Sequence, residues 1–391
     1  MRERDAVITG IGLISCLGEG VDAHWAALND FSPLVDTTSF PGFPIHPMAP
    51  ITLDAQISKR EQRQMEPWQR FGTYAAGAAL NAAGVKGNAD LLGRMHMIVA
   101  AGGGERDYAT DEAILSGMPK APDPDAYLNE HLLSDLRPTL FLAQLSNLLA
   151  GNISLVHGVV GSSRTFMGEE SSGTDAIRIA CARIAAGQGD LFLVGGSYNA
   201  QRADEPLRYE MGQTLWKKPF AGVWARQDDG GGLILGSVGC FLVIESRAHA
   251  DARGAAKLAR IAAVATDRCR RRPGEATANA SKQVAALGTS FEQASTAAIS
   301  GASGVAAPTM EEKAFLRDLG LPIRAGGTAL GHSLEPSFIA NVALAAIAVS
   351  RGKLFAPLEP VEQAMTAPLK DVLVTSWGHW RGEALAHVTA A

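Results

Sequence analysis

The residues of greatest chemical interest lie between positions 161 and 177, where an extended stretch and a turn lead into a predicted helix. Downstream apolar residues recur at i, i+3, i+4 and i+7, which predicts a buried helix face that ends near Gly187. That face consists of Ile177, Ala180, Cys181 and Ile184. Enzymes often place a nucleophile at the start of such a helix, because the helix dipole stabilises negative charge there. The residue at that point is Glu170, a poor acyl acceptor, and spacing alone favours a simple helix cap.

A second candidate for chemistry is the glycine pair near the N-terminus. Residues 6–9 read as a strand, and Gly10-Ile11-Gly12 predicts a tight turn after it. A dinucleotide fingerprint would need a third glycine where Ser15 stands, and no acidic residue follows a second strand at the expected distance. A nucleotide-binding oxidoreductase therefore remains as an alternative from another functional class, and this glycine turn is its support.

The elements that must position these residues alternate between strands and helices. Unalternating apolar runs at 97–101, 191–196 and 241–245 are typical of buried parallel strands. Helical spacing covers 68–83 and 338–349, and a late strand is predicted at 372–375. This order indicates an α/β fold, with two unequal halves that meet near Glu245.

Composition excludes several functional classes. The 35 basic and 40 acidic residues give a net charge of −5, which argues against a general nucleic-acid binder. The longest uncharged stretch, 138–163, is interrupted by polar residues, so no membrane span is predicted. Four distant cysteines without a CxxC pair favour a reducing, cytoplasmic location. Cys16 ends a weak lipoprotein-like box, but acidic residues precede it and a buried packing role is the preferred interpretation.

No metal site is predicted from histidine spacing. We expect four histidines to be core or surface residues, namely His24, His131, His157 and His249. The arginine run at 268–272 is interpreted as a solvated loop.

The sequence resembles the β-ketoacyl-acyl-carrier-protein synthases of the elongating, KAS II-like type. The stretches that carry the resemblance are 7–12, 58–65, 153–196, 235–236, 245–254 and 331–332. They follow one another along nearly the whole chain. The resemblance implies a thiolase-like, duplicated five-layer αβαβα fold, with an N-terminal half at 1–245 and a C-terminal half at 246–391.

The resemblance also implies a catalytic site. Family members use an elbow Cys, two His and a Lys, and carried over by position these fall on Glu170, Ser300, His332 and Gly327. His332 alone keeps the family's residue type. Without a thiol no acyl-enzyme can form, and we do not expect this chain alone to condense acyl chains. The loop that gates the acyl pocket corresponds to Trp377, Gly378, His379 and Trp380, and we expect His379 to have a packing role.

Three functions remain open. The first is a Cys-lacking subunit of the chain-length-factor type, paired with an active ketosynthase whose acyl tunnel it helps to form. The second is an active synthase or a malonyl-carrier decarboxylase that uses Glu170 and His332, although an ionised Glu170 would repel a malonyl carboxylate. The third is the oxidoreductase described above. The sequence also looks like divergent synthases that supply very-long-chain acyl groups for lipid A.

The expected partner is an acyl carrier protein, whose phosphopantetheine arm supplies the substrate, so no further cofactor is predicted. Lys59, Arg60 and Arg63 match the family's carrier-binding stretch, where basic residues meet an acidic carrier helix. The family resemblance also implies a homodimer, or a heterodimer with an active ketosynthase. Such a dimer would bury 156–165, so a charge placed at Val159 or Val160 is expected to disrupt it.

Overall fold

The computed structural model describes residues 2–136, 138, 142–288, 291–380 and 382–391. The strands are β1 (Ala6–Ser15), β2 (Gly18–Glu19), β3 (His96–Ala100), β4 (Ser163–Phe166), β5 (Leu191–Tyr198), β6 (Val238–Ser246), β7 (Ala259–Asp267), β8 (Thr296–Ser300), β9 (Ile323–Ala325), β10 (Asp371–Trp377) and β11 (Glu383–Thr389). The helices of the first half are α1 (Gly20–Asn29), α2 (Lys59–Gln62), α3 (Pro67–Ala82), α4 (Ala89–Arg94), α5 (Tyr108–Gly117), α6 (Pro124–Ser134), α7 (Leu148–His157), α8 (Glu170–Ala185) and α9 (Asp204–Met211). The remaining helices are α10 (Arg247–Ala252), α11 (Glu275–Ala286), α12 (Ala306–Asp318), α13 (Gly326–Leu330) and α14 (Ser337–Ser350).

The strands pair in the order β4-β3-β5-β6-β1-β7-β11-β10-β8-β9, with β2 beside β1. From each outer end towards the middle, two parallel pairings are followed by two antiparallel ones. The two runs of five strands meet at a short antiparallel pairing between β1 and β7. Strand order and direction therefore repeat, as in a duplicated fold. The division at 245/246 remains a prediction.

Five layers follow from the packing of helices on these strands. Helices α8 and α14 lie at the centre and contact strands of both halves, whereas α3 and α7 cover the N-terminal half and α11 and α12 cover the C-terminal half. Strand side chains alternate between layers: Val372 and Val374 face the central core, and Leu373 faces the outer one. The predicted α/β class and the five-layer architecture are confirmed.

The glycine turn predicted after residue 9 is wrong. Strand β1 runs without a turn from Ala6 to Ser15 and carries a bulge between Ile8 and Gly10. Both glycines instead allow α3 to lie against the strand. A Cβ atom would come within 2.4 Å of the Ala79 carbonyl oxygen at Gly10 and within 1.9 Å of the Ala75 carbonyl oxygen at Gly12. The oxidoreductase alternative therefore loses the feature on which it rested.

The cysteines and four of the histidines occupy structural positions. All four cysteines are free, and Cys16 is buried with its thiol donating to the Ala329 carbonyl oxygen. His24 and His157 are buried and hydrogen-bonded to backbone oxygens, whereas His131 and His249 pair with carboxylates. Among the described residues, no helix is long and apolar enough to cross a membrane.

Candidate active site

The turn before α8 holds Glu170 in a constrained position. Strand β4 ends at Phe166, and Glu170 is the first residue of the helix. Gly168 and Glu169 both have positive φ, at 133° and 55°. For a residue other than glycine this conformation stores strain of about 1–3 kcal/mol and is frequent at functional sites. The sharp turn between strand and helix predicted from the sequence is present.

Glu170 is buried, with 3% of its surface exposed, and accepts three hydrogen bonds at one oxygen. His332 Nε2 lies 2.8 Å from Glu170 Oε1. The backbone N–H of His379 donates to the same oxygen at 3.2 Å, and His379 Nδ1 lies 3.3 Å from it. A simple helix cap would need none of these partners, so Glu170 belongs to a polar cluster drawn from three segments.

The cluster keeps Glu170 ionised. Burial alone would raise the pKa of this carboxyl, but the hydrogen bonds and charges of His332 and His379 hold its pKa well below the usual value. The neighbouring Glu169 behaves in the opposite way, since burial and the charge of Glu170 raise its pKa. Protonation of Glu170 by burial, which would have relieved its repulsion of a malonyl carboxylate, is therefore opposed by its two imidazole partners.

His332 is fixed by its backbone as well as by its side chain. It follows Gly331, whose φ is 70°, between α13 and α14. Its N–H donates to the Ile234 carbonyl oxygen at 2.8 Å, and its own carbonyl accepts from the Gly236 N–H at 3.0 Å. A Cβ atom at Gly331 would come within 2.7 Å of Gly236, so glycine at both positions permits this close approach.

His379 reaches the cluster from the segment between β10 and β11. The packing role expected for His379 describes only part of its contacts. Its ring does contact Tyr209 and Trp380, at centroid distances of 5.6 and 4.9 Å, but its Nδ1 faces Glu170. Trp377 is buried against Phe315, so the four predicted gate residues do not share one environment.

The arginine run holds this segment in place. Arg271 Nη2 donates to the Gly378 carbonyl oxygen at 2.7 Å, and its Nε lies 2.7 Å from a carboxylate oxygen of the buried Glu383. Arg271 has a φ of 58°, a strained value for a residue other than glycine. The interpretation of residues 268–272 as a solvated loop is wrong for Arg271, because its side chain is only 16% exposed and contacts Gly378 and the buried Glu383.

Comparisons with known proteins agree with this geometry. A model of the β-ketoacyl synthase N-terminal domain matches residues 52–250. The chain belongs to the β-ketoacyl synthase family. A 3-oxoacyl-[acyl-carrier-protein] synthase 2 of Vibrio cholerae is 26% identical over 269 residues, which cover 65% of this chain and 61% of the relative. The first curated relatives are thus matched over about three fifths of their length, and the resemblance is of the KAS II type.

Other relatives extend over more of the chain. A putative β-ketoacyl synthase 1 for oxytetracycline polyketide from Streptomyces rimosus is 28% identical over 387 residues, 89% of this chain and 85% of the relative. Among solved structures, the ishigamide ketosynthase/chain length factor has a TM-score of 0.80 at 19% identity, and a Burkholderia phymatum β-ketoacyl synthase has 0.76 at 17%. Each covers 99% of both chains. At these identities the structural likeness concerns the ketosynthase fold.

Ser300 does not join the cluster as expected. Its hydroxyl donates to Glu312 Oε1 at 2.7 Å, an oxygen that also accepts from Thr375. In the part of the chain that the structure describes, no hydrogen bond connects Ser300 with Glu170, His332 or His379. Gly327, which the family resemblance places at the Lys position, offers no side chain. Of the four positions that the family resemblance assigns to catalysis, His332 alone keeps the family's residue type, and three differ.

Behind Glu170 lies a group of buried ionisable side chains that the sequence analysis missed. Burial raises the pKa of Glu335 to about 7 and also raises that of Glu205. Arg202 lies 3.6 Å from Glu205 and donates to the carbonyl oxygens of residues 103 and 104. The cavity bordered by Glu335, Glu205 and Arg202 measures about 20 Å³, and the one beside His332 about 10 Å³. Each has room for about one water molecule.

The three residues predicted to bind a carrier protein are exposed, and they lie in the stretch that the family resemblance assigns to carrier binding. Ser58 caps the single turn α2, and Glu61 completes a capping box. Lys59, Arg60 and Arg63 all point into solvent, with Lys59 3.6 Å from Asp54. Exposed pairs of this kind contribute little to stability, so the three cations remain available to another molecule.

Proposed function

We propose that this chain is a non-condensing member of the β-ketoacyl synthase family, which pairs with a Cys-containing ketosynthase and helps to shape its acyl tunnel. The proposal is supported by Glu170, which the family resemblance places at the position of the nucleophile and which is hydrogen-bonded by His332 and His379, partners that hold its pKa well below the usual value. A carboxylate there cannot form the acyl-thioester on which condensation depends. An acyl-carboxylate anhydride would be far less stable than a thioester.

The surroundings of Glu170 support the same conclusion. The small cavities at His332 and Glu335 have no space for an acyl chain, and the second of them is lined by charged groups. Burying an apolar chain among charged side chains would remove their solvation without replacing it. The negative charge of Glu170 would also repel a malonyl carboxylate, which disfavours the decarboxylase alternative.

A pairing surface is available at the outer edge of the sheet. Strand β4 is the last strand of its side, and among the described residues it pairs with β3 alone. Around it lie exposed apolar side chains, among them Leu155, Val160 and Met167. Such patches mark protein interaction sites, and an open strand edge can pair with another chain. We assign this surface to a second β-ketoacyl synthase chain and the cations Lys59, Arg60 and Arg63 to an acidic acyl carrier protein. The lipid A pathway remains a prediction.

Native mass spectrometry of the tagged chain, purified from the cells that make it, tests the pairing. The chain alone has a mass of 41.0 kDa. We expect a complex with a second chain of the family, and loss of that chain in Val160→Asp. Val361→Asp is the matched control, because Val361 is 63% exposed and Val160 is 66% exposed.

A wild-type protein that appears only at the mass of one tagged chain would contradict the pairing, as would a Val160→Asp variant that keeps its partner. Val159 is unsuitable for this test, contrary to the sequence-based expectation. It is buried within its own chain, so a charge there would destabilise the fold rather than the interface.

A further inference from the structure

Glu170, His332 and His379 are arranged as metal ligands usually are. One ligand atom from each lies within 4.8 Å of the other two, and all three residues are buried. They belong to three separate segments, the start of α8, the loop after α13 and the segment after β10. The hydrogen bonds described above satisfy Glu170, but the same atoms also form a set of two nitrogens and one oxygen that converge on one point.

The distances suit a small tetrahedral ion. With bonds of 2.0–2.1 Å, two ligands of a tetrahedral Zn²⁺ stand about 3.3 Å apart. His379 Nδ1 lies 3.3 Å from Glu170 Oε1, and His332 Nε2 lies 2.8 Å from the same oxygen. The ion would require an opening of a few tenths of an ångström between His332 Nε2 and Glu170 Oε1. The two imidazole nitrogens, which lie within 4.8 Å of each other, would also have to stand about 3.3 Å apart. Glu169 Oε2, 3.9 Å from His379 Nδ1, or a water molecule could complete the coordination.

We propose that Glu170, His332 and His379 bind a divalent first-row transition ion, for which Zn²⁺ is the best candidate. Imidazole nitrogens with one carboxylate are typical ligands of Zn²⁺ and are too few and too nitrogen-rich for Ca²⁺ or Mg²⁺. The negative charge of Glu170, at the positive end of α8, offsets part of the ion's charge.

The ion would take the place of the protons that the two imidazoles share with Glu170. Each imidazole binds through the nitrogen that now faces Glu170, and the displaced protons move to the other ring nitrogen or leave to solvent. The bound ion would then connect three segments: the turn between β4 and α8 that carries Glu170 (the elbow), the loop at His332, and the segment at His379 between β10 and β11. The ion would hold the segment at His379 against the turn that carries Glu170. This inference does not depend on whether the chain pairs with a ketosynthase.

Titration of the full-length, EDTA-treated chain with Zn²⁺ and Co²⁺ tests the site. We expect one ion per chain, an intense visible Co²⁺ spectrum of the tetrahedral type, and a melting temperature raised by about 5 °C at a hundredfold excess of ion over Kd. Glu170→Gln, His332→Gln and His379→Gln should each weaken binding at least tenfold. His131→Gln is the matched control, since His131 pairs with Asp135 away from the cluster.

The proposal is overturned if the wild-type chain binds no ion in saturable fashion, or if the three variants bind as tightly as the wild type. Loss of binding in His131→Gln would assign the ion to the surface and would also overturn it. If a variant does not fold, the wild-type Co²⁺ spectrum decides, because an ion held by surface oxygens is octahedral and only weakly coloured.

Discussion

The carboxyl groups near the elbow differ in charge state because each has different neighbours. Glu170 has two imidazoles within hydrogen-bond distance and stays ionised, whereas Glu335 is buried without a comparable partner and its pKa rises to about 7. Glu105 shows the same effect of burial, with a pKa of about 7. Around neutral pH the site therefore holds a fixed anion beside carboxyl groups that are close to titration.

Glu335 should make the stability of the protein pH-dependent. Its pKa is about 7 in the folded chain and 4.5 in the unfolded one, so the folded state binds more protons between these values. The free energy of unfolding should thus fall as pH rises from 5 to 8, by up to about 3 kcal/mol from this group. Glu335→Gln removes this group's contribution and should make the curve less steep, while the contribution of Glu105 remains.

Urea unfolding at pH 5, 6.5 and 8 measures this difference between the wild type and Glu335→Gln. The exposed Glu112 provides the control Glu112→Gln, whose curve should follow the wild type. If the Glu335→Gln curve also runs parallel to the wild type, the buried group is not the source of the pH dependence.

At the scale of helices and strands, the close contact between β1 and α3 depends on two glycines. The Cβ of Gly12→Ala would meet the Ala75 carbonyl oxygen at 1.9 Å, and a backbone atom cannot move aside cheaply. We expect a loss of at least about 1–3 kcal/mol in the free energy of unfolding. Gly93→Ala is the control. Gly93 lies inside α4, and a Cβ atom there would have no neighbour within 4 Å, so this substitution should stabilise the chain by roughly 0.5–1 kcal/mol.

Thermal unfolding of the two variants checks this contact. The expected order of melting temperatures is Gly93→Ala at or above the wild type and Gly12→Ala well below it. A Gly12→Ala variant as stable as the wild type would mean that the strand and the helix are further apart than described.

Local patterns were sufficient to predict most elements but not the contacts between them. The apolar runs at 191–196 and 241–245 became the buried strands β5 and β6. The expected parallel pairing holds between β5 and β3, but β6 pairs antiparallel with β5 and β1, so its continuous apolar run reflects burial on both faces of the sheet. The glycines at 10 and 12 misled the prediction, since a turn and a close helix contact demand the same residue type. Only the position of α3 distinguishes the two.

The candidate site was predicted in part for the same reason. Glu170 and His332 could be located because each lies in a short pattern of its own, the strand-turn-helix stretch and the Gly331-His332 pair. The contacts of His379 and Ser300 could not be predicted, because no local pattern in the sequence records them. The position of His379 depends on the hydrogen bond that Arg271 donates to the Gly378 carbonyl oxygen. The Ser300 hydroxyl donates to Glu312 and not to the cluster around Glu170. The adjacent residues Glu169 and Glu170 were the one local sequence feature that indicated a concentration of carboxyl groups at this site.

At the scale of the whole molecule, the two runs of five strands place the site between the halves of the fold. The elbow lies at the start of the central helix α8, whereas His332 and His379 come from the second half of the chain. The edge strand β4 stands next to that elbow in sequence. A partner docked on this edge would therefore lie close to Glu170, which suits a subunit that shapes a neighbour's tunnel.

The most direct test of the non-condensing role is an intact-mass assay of the isolated chain with acyl-carrier and malonyl-carrier substrates. An active 3-oxoacyl-[acyl-carrier-protein] synthase 2, run in parallel, confirms that the substrates are competent. We predict that the carriers keep their masses and that the chain stays at 41.0 kDa without an acyl adduct. A 3-oxoacyl-carrier product, or conversion of malonyl-carrier to acetyl-carrier, would contradict this account, because either requires chemistry at Glu170 and His332 that an ionised carboxylate is not expected to support.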